Sequence, residues 1–175
     1  YSQDALYLPD PGHLWFLGNI LIYVMLLTPL FLYLKRNHDK SVGQTLRKVM
    51  GHPLGLILLI VPFVVEAVLI QPEMFMLYAK TAHGFWLGFI AFLIGYLMVY
   101  VGNSFWEMVG RWKWVLLSVA FSLFLIRWQY FDLMPPNAYL AVESNLWVFA
   151  VLGLGFHYLN RPYPALRYLS QAAYP

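Results

Sequence analysis

Long apolar stretches separated by short polar segments dominate the pattern of this chain. No formal charge occurs over the 21 positions from Leu14 to Leu34. A helix needs about 20 apolar residues to cross a hydrocarbon layer of about 30 Å. Further apolar stretches run through 54–70, 84–102, 114–126 and 144–159. The pattern predicts an all-α polytopic membrane bundle with about five transmembrane helices and the start of a sixth near the C-terminus.

The composition agrees with lipid as the solvent. Of 175 residues, 61% are hydrophobic and 11% are charged, whereas a soluble domain carries about 25% charged residues. The low charge excludes a disordered tail and a nucleic-acid-binding module, so no nucleic acid partner is expected. The chain contains no cysteine, which excludes disulfides, thiolate metal sites and thiol nucleophiles.

The distribution of cations predicts how the stretches cross. The fourth stretch has only 13 residues between Lys113 and Arg127, a length that also fits a re-entrant segment. If all five stretches cross, nine of the 11 Lys and Arg residues lie on one side and only Lys80 and Arg127 on the other. The positive-inside rule then favours five crossings, with the N-terminus outside and with loop 35–53 and the C-terminus cytoplasmic.

Two local patterns suggest packing and membrane contacts. Loop 35–53 fits either a short amphipathic helix on the inner membrane surface or a solvated linker. Gly84, Gly88, Gly95 and Gly102 mark one stripe of the third stretch, and a stripe of small residues in lipid favours close helix packing over a ligand site.

Glu66 is the one carboxylate inside a predicted span. Because a charge at bilayer depth costs at least ~2.5 kcal/mol, such a residue needs a partner or a function. Two interpretations stay open. Glu66 is a proton acceptor or the orienting partner of a histidine, or it forms a purely structural interhelical hydrogen bond. Pro62 removes one backbone hydrogen bond a turn earlier and predicts a bend there.

Two of the five histidines are candidates for chemistry. His13 and His83 fall at the outer ends of spans, at the depth of Glu66 and Glu143. An imidazole beside a carboxylate is a plausible general base for deprotonating a hydroxyl. The other three histidines fall near the inner boundary. No pair of histidines has metal-ligand spacing, so no metal is expected.

Several short motifs resemble one family of membrane enzymes. The sequence reads GHLWFL at 12–17 and LIY at 21–23, and later NLWVF at 145–149, GLG at 153–155 and YLNRP at 158–162. Together with AHGF at 82–85, these motifs resemble the integral-membrane acyltransferase family three. The branch that includes the glucan succinyltransferase of bacterial periplasmic glucan synthesis is the most similar.

The resemblance implies an enzyme of about ten helices in the bacterial inner membrane, of which this chain is the C-terminal half. It implies transfer of an acyl group from cytoplasmic acyl-CoA to a hydroxyl of an extracytoplasmic carbohydrate or glycolipid. The family's catalytic histidine and its nearby arginine belong to the first helix, upstream of Tyr1, so the chain alone is expected to be inactive.

The predicted site combines the positions of the ionisable residues in the spans with the resemblance to the acyltransferase family. His13, His83 and Glu66 are the candidate catalytic residues, and Trp15, Tyr23, Glu143 and Asn145 are the candidate residues for contact with the acceptor. The alternative is a non-enzymatic membrane module, such as a transporter half, in which Glu66 and Pro62 form a proton-coupled hinge.

Overall fold

The computed structural model describes residues 14–73, 75, 79–131 and 135–160. These ranges contain six α-helices and no β-strand, which confirms the predicted all-α fold. The helices are α1 (Leu14–Arg36), α2 (Ser41–Met50), α3 (Gly55–Ile70), α4 (Ala82–Val101), α5 (Asn103–Tyr130) and α6 (Asn137–Leu159).

Four helices, α1, α4, α5 and α6, are each long and apolar enough to cross a membrane. The short helices α2 and α3 meet at 88° and add a fifth candidate span if they are counted as one broken span. The outer surfaces remain apolar: Leu17, Leu21 and Met25 on α1 are 59%, 61% and 69% exposed. Apolar side chains that point away from the bundle core require a lipid environment.

The fourth span is longer than the sequence predicts. α5 has 28 residues, so the boundaries expected at Trp114 and Ile126 are wrong, and Lys113 and Arg127 both lie within the helix. Lys113 is buried, and its ammonium donates to the carbonyl of Gly110 at 2.9 Å. The last helix also starts early, at Asn137 rather than at Ser144. Lys113 and Arg127 both have partners, and neither of them ends the helix.

The helices run alternately between two ends of the bundle. α1 and α4 are parallel, because Tyr23 contacts Phe85 near the start of α4 and Tyr100 contacts Leu34 near the end of α1. α5 and α6 are antiparallel neighbours. We call the end formed by residues 35–54 and 101–112 the basic end, and the opposite end, where α3 finishes and α4 begins, the Glu66 end.

The segment after α1 forms the predicted amphipathic helix, α2, rather than a linker. The corner before α2 is held by Arg47, whose guanidinium donates to the carbonyl of His38 at 2.8 Å. A hydrogen bond from His38, reinforced by Arg47, lowers the pKa of the exposed Asp39. The pairing therefore favours the folded corner above the normal carboxyl pKa and is lost as the pH falls through the lowered one.

The glycine stripe of α4 packs at only part of its length. A methyl group at Gly88 would lie 2.7 Å from the Tyr23 hydroxyl, so this glycine lets α1 approach. Gly95 faces open space, and Gly102 ends the helix with a positive φ of 61°. The prediction of close packing along the whole stripe is thus wrong at Gly95.

A closer approach than at Gly88 involves Gly153 of α6. A methyl group there would lie 2.4 Å from the carbonyl oxygen of Val109 on α5, whereas one at Gly155 would meet nothing within 4 Å. Gly153→Ala should therefore push α5 and α6 apart and destabilise the detergent-solubilised protein by roughly 1–3 kcal/mol. Gly155→Ala is the matched control, and it should be neutral or slightly stabilising. Equal thermal unfolding midpoints for the two variants would contradict this packing.

The absence of native cysteines makes the orientation directly measurable. Cysteines introduced at the exposed positions Lys40 and Glu73 lie at opposite ends of the bundle. An impermeant thiol reagent added outside the cell should label Glu73→Cys and leave Lys40→Cys unlabelled, because the positive-inside rule places the basic end in the cytoplasm. The reverse labelling pattern would overturn the predicted orientation.

Candidate functional site

The centre of the candidate site is a buried pair between Glu66 and His83. Glu66 Oε1 lies 2.7 Å from His83 Nδ1, and the two side chains are 3% and 2% exposed. The pair joins α3 to α4 near the Glu66 end. The sequence suggested this pairing as one of two interpretations of Glu66, and the structure brings the two residues together.

Local structure at the start of α4 fixes the imidazole. Thr81 precedes the helix, and its hydroxyl accepts a hydrogen bond from the backbone N–H of Gly84 at 3.0 Å. This N-cap satisfies a donor that the first turn would leave free. His83 therefore sits in a rigid first turn, and its ring also packs against that of Phe75 at 5.1 Å between centroids.

The second ring nitrogen defines the proton arrangement. His83 Nε2 lies 3.1 Å from the carbonyl oxygen of Phe75. A carbonyl only accepts hydrogen bonds, so Nε2 carries a proton. A proton must also lie between Nδ1 and Glu66, either as imidazolium with carboxylate or as neutral imidazole with carboxylic acid. In either form, both ring nitrogens of His83 take part in hydrogen bonds.

The remaining acceptor of the pair is the other carboxylate oxygen. Glu66 Oε2 is buried and has no hydrogen-bond partner among the described residues. A buried acceptor without a partner costs about 1–3 kcal/mol. Such an atom is expected where a ligand supplies the missing donor.

Glu66 also lines a groove of about 410 Å³ between α3 and α4. The groove is otherwise almost entirely apolar, with walls from Pro62, Val65, Leu69, Ile70, Trp86 and Ile90. Small-molecule sites commonly combine apolar walls with a few polar groups. The groove can therefore receive an apolar or amphipathic molecule beside the buried carboxylate of Glu66.

The other predicted site residues are distributed differently. The Tyr23 hydroxyl donates to the Phe85 carbonyl at 2.7 Å, so it joins α1 to α4. Trp15 is half-buried and packs edge-on against Phe16. The Asn145 amide donates to the carbonyl of Ala141 in its own helix at 2.8 Å. His13 lies outside the described residues.

Glu143 forms a second buried ion pair that the sequence did not reveal. Its carboxylate accepts from Arg127 Nε at 2.8 Å and from Arg127 Nη2 at 3.1 Å, a bidentate contact between α5 and α6. Both oxygens are therefore engaged away from His83. Two opposite charges facing each other across a helical hairpin are the signal that would have predicted this pair.

No group of three or more His, Asp or Glu side chains that could hold a metal ion occurs within the described ranges.

The Arg127–Glu143 pair should be tested as a structural element. Arg127→Met leaves the carboxylate of Glu143 buried without its partner, which should destabilise the protein by about 3–5 kcal/mol. Replacing both residues, as Arg127→Met with Glu143→Leu, should recover most of that loss. Unfolding measured in the same detergent provides the comparison, and additive losses in the double variant would show that the pair is not coupled.

Comparisons of the whole chain were made with protein-family models, curated proteins and solved structures. No family model matches it, and neither a curated protein nor a solved structure gives a significant match.

Proposed function

We propose that the chain is part of a membrane-bound O-acyltransferase that transfers an acyl group from acyl-CoA to a hydroxyl of a carbohydrate or glycolipid. The observation that carries this proposal is the buried Glu66–His83 pair beside an apolar groove, with one Glu66 oxygen that has no partner among residues 14–73, 75, 79–131 and 135–160. The motifs that resemble acyltransferase family three add independent support from the sequence.

The chemistry requires a base near the attacking hydroxyl. An acceptor hydroxyl that donates to Glu66 Oε2 would lose its proton to the carboxylate as its oxygen attacks the thioester carbonyl. The carbon–sulfur bond then breaks, and the thiolate takes up the proton as coenzyme A leaves. His83 contributes by holding the carboxylate in place through the hydrogen bond at its Nδ1.

Within this proposal Glu66 is the group that meets the acceptor, and His83 is a positioning residue. The assignment follows from the occupied ring nitrogens, because His83 has no free lone pair in the observed arrangement. A glycolipid fits the site better than a free sugar, since the groove has apolar walls.

The test uses Glu66→Gln in the full-length protein in its native membrane. The amide keeps the size of the side chain but removes the base, so acylation of the surface carbohydrate should fall by roughly 10² to 10⁴. Glu73→Gln, an exposed carboxylate at the same end, is the matched control and should retain full activity. Protein abundance in the membrane is measured alongside.

The same variant separates the enzyme from a transporter half. A transporter with a proton-coupled Glu66 and Pro62 would lose solute flux in Glu66→Gln, while surface acylation would be unaffected. Normal acylation in this variant at normal abundance would overturn the proposal. His13→Ala tests the second predicted histidine, and acylation at the wild-type level would exclude a role for it.

A further inference from the structure

We infer that the basic end carries a binding site for the headgroup of an anionic phospholipid, between α2 and the start of α5. This site is separate from the Glu66–His83 pair and does not depend on the proposed acyl transfer. A cavity of about 570 Å³ lies there, with Arg47, Lys48 and His52 on one side and Arg111 and Trp112 on the other.

The charges around the cavity favour an anion. Three cations line it, and Glu107 is the one acidic residue in its wall. Arg47 is held in place by the carbonyl of His38. Lys48 and Arg111 are exposed and form no hydrogen bond or ion pair with any residue that the structure describes. Two unengaged cations beside a positioned guanidinium suit a phosphate group.

The position of the cavity favours a lipid over a soluble phosphate compound. α2 meets α3 at 88°, so it lies near the membrane plane if α3 crosses the bilayer. Amphipathic helices in this orientation mark the boundary between headgroups and acyl chains. The cavity is lined partly by α2 and therefore lies at headgroup depth, where basic pockets between helices bind anionic lipids.

An apolar path for the acyl chains starts at the rim of the cavity. Leu54 follows the lining residue Pro53, and Leu58 and Val61 continue the same face of α3. These three side chains are 65%, 61% and 45% exposed. A phospholipid with its phosphate among the cations could therefore lay one chain along α3, whereas a soluble phosphate would use only the charges.

The experiment measures lipid binding to the purified chain by native mass spectrometry. Phosphatidylglycerol is titrated against phosphatidylcholine with the same acyl chains, and the former should bind preferentially. Each cation near a membrane surface contributes about fivefold to the affinity. Lys48→Gln with Arg111→Gln should therefore weaken phosphatidylglycerol binding by roughly 30-fold. The charge-conserving pair Lys48→Arg with Arg111→Lys should restore it.

The control removes the same charge at the same end but away from the cavity. Arg36→Gln with Lys40→Gln should leave the affinity unchanged, since neither residue lines the cavity. If both glutamine pairs weakened lipid binding equally, the affinity would depend only on the total charge at this end, and the proposed site would be wrong. Coenzyme A, added as a soluble phosphate probe, should not displace the lipid, and displacement would assign the cavity to soluble phosphates instead. If the double variant fails to fold, Lys48→Gln alone should still weaken binding about fivefold.

Discussion

The bundle depends on hydrogen-bonded partners for the ionisable side chains that the described helices bury, which are Glu66, His83, Lys113 and Glu143. Glu66 pairs with His83, and Glu143 pairs with Arg127. The ammonium of Lys113 donates to a backbone carbonyl. An unpaired charge in this environment would cost more than most single packing contacts supply. Two of these contacts also join neighbouring helices. The first pair joins α3 to α4, and the second joins α5 to α6.

The two ion pairs differ in how many carboxylate oxygens accept hydrogen bonds from the described residues. Both carboxylate oxygens of Glu143 accept hydrogen bonds from the guanidinium of Arg127. The carboxylate of Glu66 pairs through one oxygen with His83, and its other oxygen has no partner in the part of the chain that the structure describes. A buried pair with spare hydrogen-bonding capacity, next to a groove, carries a cost that a structural role does not require. This asymmetry places the candidate chemistry at Glu66 rather than at Glu143.

The lengths of the apolar stretches were enough to predict the fold class and the approximate number of spans. A helix that crosses lipid has to be about 20 residues long and largely apolar. The prediction was wrong where a charged residue was taken to mark the end of a helix. Lys113 and Arg127 lie inside α5 because their partners come from the preceding turn and from α6, and a single sequence does not show such partners. A histidine partner for Glu66 was one of two interpretations that the sequence left open, and both His13 and His83 were predicted at the depth of Glu66. The occupied second nitrogen of His83 was not predicted, because it depends on the backbone at Phe75.

Gly102 connects α4 to α5 as a single residue. Its φ of 61° and ψ of −137° belong to a region that side chains other than hydrogen rarely allow. Because no loop separates the two helices, neither can slide along its axis without moving the other.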